Sequence, residues 1–467
     1  MNDTSNDSEV RTTESGDTAD VVVIGMGPGG ESVAGTLAEA GLDVVGIDRE
    51  LVGGECPYWG CIPSKMMIRS AHLLQEARRI PGMAGSSQVT PDWAPVAQRI
   101  RDEATDDWDD TVAVERFEGK GGRFVRGHGR IVAPGKVAVG DRTIEVGTAI
   151  VVAAGTSAAI PPIPGLRDVD FWTNREAVEA KDLPASMVVL GGGAIGLELA
   201  QSFARFDVAV TVVEAEDRLA PMEEPEVGPV LSDALAAEGI DVRTGSRAAL
   251  VSGNASGVRV EFDDGGSVEA ERLLVATGRR ADLGAVGLGA VGVDEEQRWV
   301  PVDERMRVTD GVWAVGDLCG EGAFTHVALY QAGIAVADIL GRDHAPADYR
   351  ALPRATFTDP EVGSVGRTEQ QARDAGVSVA VAVKPVPHTA RGWLHKAGND
   401  GLVKLVADAD RGVLVGATAV GPNGGEVLGL LTVAVHAEVP IETLRQMMYA
   451  YPTFHKGVED ALNELEL

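Results

Sequence analysis

Two of the three cysteines in this 467-residue chain, Cys56 and Cys61, have only four residues between them. Pro57 disfavours helix at Cys56, and Gly60 lets the backbone bend before the second thiol. A helix is expected to begin near Pro63, because proline suits a first helical turn. Cys61 then lies close to a helix N-terminus, where the partial positive charge favours a thiolate. We interpret the two cysteines as a redox-active pair.

Two other interpretations of this pair are buried structural thiols and half of a zinc site. The sequence offers no second cysteine pair and no nearby histidine to complete a zinc tetrahedron. The remaining cysteine, Cys319, is expected to be a small buried residue. No metal site is therefore predicted.

A dinucleotide-binding pattern precedes the cysteines. An apolar strand at 21–24 is followed by a glycine-rich turn, a helix at 31–40 and a second strand that ends at Asp48. The glycines permit a tight turn and the close approach of a pyrophosphate to the helix N-terminus, and the acid is placed to bind a ribose. The glycines of this turn are Gly25, Gly27 and Gly30.

The same pattern recurs further along the chain. A strand at 187–190 precedes a second glycine-rich turn, a helix to Phe206 and a strand at 208–213 that ends at Glu214. Two complete copies indicate two cofactor sites. Later apolar strands at 150–154 and 273–276 end in small-residue turns at Gly155 and Gly278. The second turn contains Gly191, Gly193 and Gly196.

The chain is predicted to be an α/β protein with two Rossmann-like three-layer domains and a C-terminal α+β dimerisation domain. Residues 1–19 are expected to form a disordered acidic tail. The first cofactor-binding domain is assigned to 20–160 and again to 285–347, and the second to 161–284. A stiff Pro-rich connector at 160–165 supports the boundary near 161. Alternating strands and helices define the last domain, 348–467.

Composition excludes several classes of partner. The formal net charge is −30, which repels phosphate backbones and anionic lipid heads, so neither nucleic acid nor a membrane is expected as a partner. No apolar run is long enough to span a bilayer, and residues 1–20 lack the features of a signal peptide. With few cysteines, a reducing, cytoplasmic location is expected.

Together these motifs resemble those of the flavoprotein disulfide reductases, the class I pyridine nucleotide-disulfide oxidoreductases. The similarity extends from Asp20 to the C-terminus. It is carried by the two glycine-rich turns and by four further segments, 53–65, 276–280, 312–317 and 358–366. The resemblance implies FAD in the first Rossmann unit, a nicotinamide cofactor in the second, and a homodimer built on the C-terminal domain.

The resemblance also implies roles for individual residues. Cys61 would be the thiolate against the flavin, and Cys56 the interchange thiol that meets the acceptor. Lys65 and Glu198 would form an ion pair near flavin N5, and Asp317 would bind the ribityl chain. The residues implied for FAD are Gly25, Gly27, Gly30, Asp48, Gly54, Lys65, Gly155, Gly316, Asp317, Thr325 and His326. Those implied for NAD are Gly191, Gly193, Gly196, Glu214 and Gly278.

The acid at the end of the second Rossmann strand favours one nicotinamide cofactor. Glu214 can accept hydrogen bonds from both ribose hydroxyls and repels a 2′-phosphate. Arg218 is nearby, but Glu216 and Asp217 keep the local charge negative. We therefore expect NADH rather than NADPH.

The chain departs from this family at the acid–base pair that serves dithiol and glutathione substrates. Tyr451 stands where the family has the catalytic His of a His-Pro-Thr segment, and Lys456 stands where the family has the Glu that orients it. Histidine titrates near ~6.5 and tyrosine near ~10, so tyrosine is a poor replacement base. His455, about one helical turn later, is an alternative base, and Glu459 could orient it. Interface packing of Tyr451 and exposure of His455 are the simpler interpretations.

These features predict an FAD-dependent NADH oxidoreductase that uses the Cys56–Cys61 disulfide to reduce a quinone, a metal ion or an unusual disulfide. A dedicated mercuric reductase is disfavoured, because residues 461–467 lack that family's C-terminal cysteine pair. The first alternative is a dihydrolipoamide dehydrogenase with His455 as its base. The second, from another class, is a flavin-bound redox sensor in which the disulfide acts as a switch.

Overall fold

The computed structural model describes residues 17–254 and 257–467, and its elements are numbered here along the chain. The helices are α1 (Pro28–Glu39), α2 (Glu55–Tyr58), α3 (Cys61–Arg78), α4 (Ala94–Arg99), α5 (Thr111–Glu118), α6 (Asn174–Glu179), α7 (Ala194–Arg205), α8 (Val227–Ala237), α9 (Thr325–Ile339), α10 (Glu369–Asp374), α11 (Ala390–His395), α12 (Gly424–His436), α13 (Ile441–Gln446) and α14 (Phe454–Glu464). The strands are β1 (Asp17–Ile24), β2 (Val44–Asp48), β3 (Arg123–Arg126), β4 (Gly129–Ala133), β5 (Lys136–Val139), β6 (Arg142–Val152), β7 (Ser157–Ala158), β8 (Ser186–Leu190), β9 (Ala209–Val213), β10 (Asp241–Arg243), β11 (Ala248–Asn254), β12 (Gly257–Phe262), β13 (Ser267–Ala270), β14 (Arg272–Val275), β15 (Arg279–Arg280), β16 (Arg307–Thr309), β17 (Val312–Ala314), β18 (Pro353–Thr356), β19 (Glu361–Gly366), β20 (Val379–Pro385), β21 (Leu402–Asp408) and β22 (Val413–Gly421).

The first compact unit comprises residues 17–54, 110–155 and 281–347. Its sheet has the order β16-β17-β6-β1-β2-β3, and β1 runs parallel to β2 and β6. Val21 and Val23 pack in the same core as Leu37 of α1, whereas Val22 and Ile24 belong to the core on the opposite face. A strand that is buried on both faces explains the continuous apolar run in the sequence.

The predicted N-terminal tail is too long by its last three residues. Residues 17–19 belong to β1, because Asp17, Thr18 and Ala19 pair in register with 144–146 of β6. The polar composition of these residues predicted a tail, but Asp17 and Thr18 are polar because they lie at the solvated start of the strand. The rest of the predicted tail, residues 1–16, lies outside the described residues.

The second compact unit comprises residues 55–109, 156–280 and 348–467. It contains the second parallel sheet, in the order β10-β9-β8-β14, with α7 packed against β8 and β9. The strands β11, β12 and β13 form an antiparallel sheet beside it. The short strands β7 and β15 pair at the two ends of this middle segment.

The C-terminal part of the second unit is an antiparallel sheet in the order β18-β19-β22-β21-β20. The helices α12 and α14 cover it, and Val427, Leu431 and Leu462 fill the core between helices and sheet. The predicted fold class is therefore confirmed: two Rossmann-like sheets and a C-terminal α+β domain. No helix within residues 17–254 and 257–467 is both long and apolar enough to cross a membrane.

A buried lysine connects two segments of the second unit. Lys404 of β21 is 1% exposed, and its Nζ lies 2.9 Å from Glu224, 2.8 Å from Glu226 and 3.0 Å from Glu369. Burial lowers the pKa of Lys404, but hydrogen bonds to the three carboxylates outweigh burial and raise it to about 12. The ammonium therefore stays charged and holds the turn before α8 against the C-terminal sheet.

Replacing Lys404 by Met should lower the free energy of unfolding by about 3–5 kcal/mol, because Glu224 would remain buried without its cation. The matched control is Lys384→Met on the neighbouring strand, whose partner Glu464 is half exposed. That change should cost at most about 1 kcal/mol. Urea unfolding midpoints measure both effects, and equal losses in the two variants would contradict the role of Lys404.

Candidate active site

The two cysteines lie on consecutive helices. Cys61 is the first residue of α3, with Gly60 as its N-cap, so the expected position near a helix N-terminus is observed. The helix begins two residues earlier than predicted, and Pro63 lies in its first turn. Cys56 lies in the short helix α2, although Pro57 was expected to disfavour helix there. Pro57 is tolerated because the first-turn N–H groups need no intrahelical partner.

The environment of the two thiols differs. Cys61 is exposed, and Cys56 is half-buried. Cys61 also lies at the positive end of an 18-residue helix, which favours its thiolate. Cys319 is buried, and burial raises its pKa far above the usual range. The thiol chemistry is thus confined to Cys56 and Cys61.

Lys65 lies one turn after Cys61 on α3, and its Nζ is 2.8 Å from Glu198 Oε2 on α7. The side chain of Glu198 is 7% exposed. Its second oxygen, Oε1, accepts a hydrogen bond from the backbone N–H of Phe357 at 2.8 Å. The ring of Phe357 lies under Lys65, with Nζ 4.8 Å from its centroid. Phe357 is a partner that the sequence did not reveal.

A second charged cluster lies further along α3. Asp359 Oδ2 accepts hydrogen bonds from Arg205 of α7 at 2.8 Å and from Arg79, just after α3, at 2.9 Å. Burial opposes ionisation of Asp359, but the two guanidinium groups hold its pKa below the usual range. Burial, reinforced by Arg205, lowers the pKa of His72 to about 4, although the charge of Asp359 opposes the shift. His72 is therefore neutral in the folded protein near pH 7.

The first glycine-rich turn has the backbone geometry of a nucleotide site. A Cβ on Gly25 would lie 2.4 Å from Ala153 O, and one on Gly30 would lie 1.9 Å from Gly25 O. These two positions therefore require glycine. A Cβ on Gly27 would meet only Gly54 Cα at 4.0 Å, which leaves its backbone open to a ligand. These residues fit a bound dinucleotide such as FAD.

Asp48 closes this first turn. Its Oδ2 accepts the N–H of Met26 at 2.7 Å, and its Oδ1 accepts the N–H of Glu50 at 2.8 Å. Burial raises the pKa of Asp48, against the effect of these two hydrogen bonds. The carboxylate retains further acceptor capacity for ribose hydroxyls.

The second glycine-rich turn repeats this geometry. A Cβ on Gly191 would lie 2.3 Å from Ala276 O, one on Gly196 would lie 2.1 Å from Gly191 O, and Gly193 is open. Glu214 Oε2 accepts the N–H of Gly192 at 2.6 Å, and its Oε1 accepts the N–H of Glu216 at 2.8 Å. The second site therefore fits a dinucleotide in the same way as the first.

The other predicted FAD residues lie in the first unit, with one exception. Gly316 donates its N–H to Gln331 Oε1 at 2.7 Å, and Asp317 follows in a turn before α9. Thr325 and His326 begin α9, which packs against α1. Gly155 is the last residue of segment 110–155 of the first unit, and a Cβ on it would meet nothing within 4 Å. Lys65 belongs to the second unit. That unit also contains Gly278, whose φ of +112° favours glycine.

The predicted acid–base residues lie at the start of α14. Tyr451 is 73% exposed and precedes a cis peptide bond to Pro452, and His455 is half-buried in the first turn of the helix. Lys456 forms an ion pair with Glu459 within the same helix. The carboxylate expected to orient His455 is therefore engaged by a lysine.

Comparisons with known proteins agree with this geometry. Residues 19–332 match the family model described as pyridine nucleotide-disulphide oxidoreductase, and residues 352–462 match its dimerisation domain. A dihydrolipoyl dehydrogenase of Chlorobaculum tepidum is 34% identical over 463 residues, which cover 95% of this chain and 96% of that protein. A mercuric reductase of Bacillus cereus is 30% identical over 449 residues, which cover 95% of this chain and 71% of that protein.

One solved structure is similar over nearly its whole length. It is the Cu(II) complex of a cysteine-to-serine mutant of RclA, an HOCl-induced flavoprotein disulfide reductase of Escherichia coli. The two chains superpose with a TM-score of 0.84 at 25% identity, covering 96% of this chain and 99% of the other.

Replacing His72 by Gln should reduce the acid sensitivity of the fold. The unfolded chain binds a proton at His72 below about pH 6.5, whereas the folded chain binds it only below about pH 4. The stability that neutral His72 contributes is therefore fully present above about pH 6.5. It is lost as the pH falls towards 4, and the loss reaches up to about 3 kcal/mol. Urea midpoints at pH 7 and pH 4.5 should differ less for the variant than for the wild type. Equal differences would show that His72 is not responsible.

Proposed function

Because the chain belongs to the pyridine nucleotide-disulphide oxidoreductases, we propose that it transfers electrons from NADH to a disulfide between Cys56 and Cys61, and from there to a small acceptor. FAD, when bound, supplies the two-electron relay between the nicotinamide and the disulfide. The first glycine-rich turn would hold FAD, and the second would hold NADH. Family members are FAD-dependent enzymes that also bind NADH or NADPH. For this chain we propose NADH as the electron donor, and we propose the acceptor below.

The observation that carries this proposal is the arrangement on α3. Cys61 occupies the helix N-terminus, and Lys65 lies one turn later with its ammonium fixed by Glu198. Reduction breaks the S–S bond, takes up two electrons and leaves two thiolates, each of which becomes a thiol only when it takes up a proton. The positive helix end stabilises the sulfur of Cys61 as a thiolate. Cys56, on the preceding helix, would be the thiol that meets the acceptor.

The acceptor is proposed to be one that needs little proton transfer from the protein. Tyr451, at the position of the family's catalytic histidine, is exposed, and a phenol is a much poorer general base than an imidazole near pH 7. Among quinones, metal ions and unusual disulfides, we propose a metal ion. One relative is a mercuric reductase, and one structural neighbour was solved as a Cu(II) complex.

The C-terminal dimerisation domain supports a homodimer. Several large apolar side chains of this domain are exposed in the single chain, as a dimer interface would require. They include Trp393, Leu394, Val433, Met448 and Tyr451.

A preference for NADH is proposed from Glu214. Its carboxylate is buried at the end of β9 and already fixed by two backbone N–H groups, so it is preorganised for ribose hydroxyls. A 2′-phosphate would bring further negative charge to this carboxylate.

An acceptor panel tests the proposed function. Purified enzyme with NADH should reduce Hg(II), Cu(II) or a quinone in a reaction that Cys61→Ser abolishes. The reaction of dihydrolipoamide with NAD should be at least about 10²-fold slower than in a family member that has the catalytic histidine, because a general base typically contributes 10²–10⁴-fold. Tyr451→His should raise that rate, and Tyr451→Phe should not.

Rapid dihydrolipoamide turnover that collapses in His455→Ala would instead establish the lipoamide enzyme. Failure of every acceptor would favour the redox sensor.

Glu214→Ala should lower the ratio of kcat/KM for NADH over NADPH by about tenfold or more. The expected cause is the loss of two ribose hydrogen bonds and of repulsion towards a 2′-phosphate. The matched control is Asp233→Ala, an exposed acid on α8, which should leave the ratio unchanged. Steady-state kinetics with both cofactors measure the ratios. An unchanged ratio in the Glu214 variant would contradict the assignment.

A further inference from the structure

The turn that carries the two cysteines is tied to the helix α6, about 120 residues later in the chain. Trp59, between the cysteines, is 8% exposed, and its Nε1–H donates a hydrogen bond to Glu179 at 2.6 Å. The guanidinium of Arg175 lies over its ring, with Cζ 4.2 Å from the centroid. Asn174 Nδ2 donates to the carbonyl oxygen of Trp59 at 3.0 Å. The helix α6 therefore contacts the ring, the backbone carbonyl and the indole N–H of Trp59.

Glu55, the residue before Cys56, is held by the same helix. Its Oε1 accepts a hydrogen bond from Arg175 Nε at 2.7 Å, and its Oε2 accepts one from Asn174 at 3.0 Å. Arg279 brings a second guanidinium to 3.8 Å from Oε2. The negative charge next to Cys56 is therefore balanced by positive charge from outside the turn.

These contacts have two physical consequences for the cysteine pair. First, the chain is anchored on both sides of Cys56, through the side chain of Glu55 before it and through the ring and carbonyl oxygen of Trp59 after it, which restricts how far the two sulfurs can separate. Second, Glu55 is the chain neighbour of Cys56, so its negative charge disfavours a thiolate there, and Arg175 offsets that charge. One side chain, Arg175, contributes to both, because it binds Glu55 and stacks on Trp59.

We propose that Glu55, Trp59, Asn174 and Arg175 are positioning residues that set the reactivity and the reduction potential of the Cys56–Cys61 couple. They form what we call the α6 latch. The inference rests on the proposed redox function of the two cysteines and extends it, since the latch determines how readily that disulfide accepts and donates electrons.

The charge on the latch can be tested with paired substitutions in the purified, FAD-loaded enzyme. After reduction and removal of the reductant, iodoacetamide labelling of each cysteine is followed by mass spectrometry from pH 5 to pH 10. Arg175→Gln leaves Glu55 less balanced, so labelling of Cys56 at pH 7 should slow about fivefold and its midpoint should move to higher pH. Glu55→Gln should move the midpoint in the opposite direction, and the double variant should return it towards the wild type. Buried Cys319 serves as an unreactive internal reference.

The same proteins are equilibrated in buffers of oxidised and reduced dithiothreitol. In this exchange the protein disulfide gains two electrons and two protons, and dithiothreitol closes to its cyclic disulfide. Arg175→Gln removes the charge that favours the thiolate, and this loss should outweigh the weaker hold on Trp59. The Cys56–Cys61 disulfide should therefore become harder to reduce by about fivefold, or ~20 mV at about 30 mV per tenfold. Trp59→Leu changes no charge. It should make the disulfide easier to reduce, because the two sulfurs are held together less firmly, with the labelling midpoint unchanged.

Arg272→Gln is the matched control, because Arg272 also lies beside a tryptophan, Trp172, and pairs with an acid, Asp170. It should change neither labelling nor the redox equilibrium. If Arg175→Gln and Glu55→Gln shift labelling in the same direction, or not at all, the latch does not set thiol reactivity. If the wild type forms no Cys56–Cys61 bond in any redox buffer, the proposed function itself fails, whatever the variants do.

Discussion

One buried carboxylate joins the three chain segments of the second unit. Glu198 on α7 binds Lys65 of the cysteine-bearing helix through one oxygen. Its other oxygen binds the backbone of Phe357, between strands β18 and β19 of the C-terminal sheet. A buried charge of this kind is tolerated only when its hydrogen bonds are satisfied. Glu198 therefore fixes α3 to the nucleotide-binding segment and to the C-terminal domain at one point.

The same connection is repeated further along these helices. Arg205, two turns after Glu198 on α7, pairs with Asp359, which also binds Arg79 at the end of α3. The helix that begins with Cys61 is thus held to α7 near both of its ends, directly by the Lys65–Glu198 pair and through Asp359 at the other end. Since the chemistry requires the sulfur of Cys61 and the ammonium of Lys65 to stay in fixed positions, rigid attachment of α3 is the structural condition for the proposed electron transfer.

Features governed by short-range geometry were predictable from the sequence. The two glycine-rich turns were identified because Gly25 and Gly191 lie where a Cβ would collide with a neighbouring strand, and such a requirement leaves a local pattern. The contacts of Glu55 and Trp59 with α6 were missed. They join residues about 120 positions apart, and no spacing in the sequence encodes such a contact. Pro57 misled the local interpretation because a first helical turn accepts proline.

We propose that NADH opens a disulfide between Cys56 and Cys61, and this step can be measured directly. Anaerobic, oxidised, FAD-loaded enzyme is treated with NADH, quenched with an alkylating reagent under denaturing conditions and digested for mass spectrometry. Cys56 and Cys61 should be unlabelled before NADH and both labelled after it, with Cys319 labelled in both samples. Labelling of Cys56 and Cys61 that is the same with and without NADH would contradict the account.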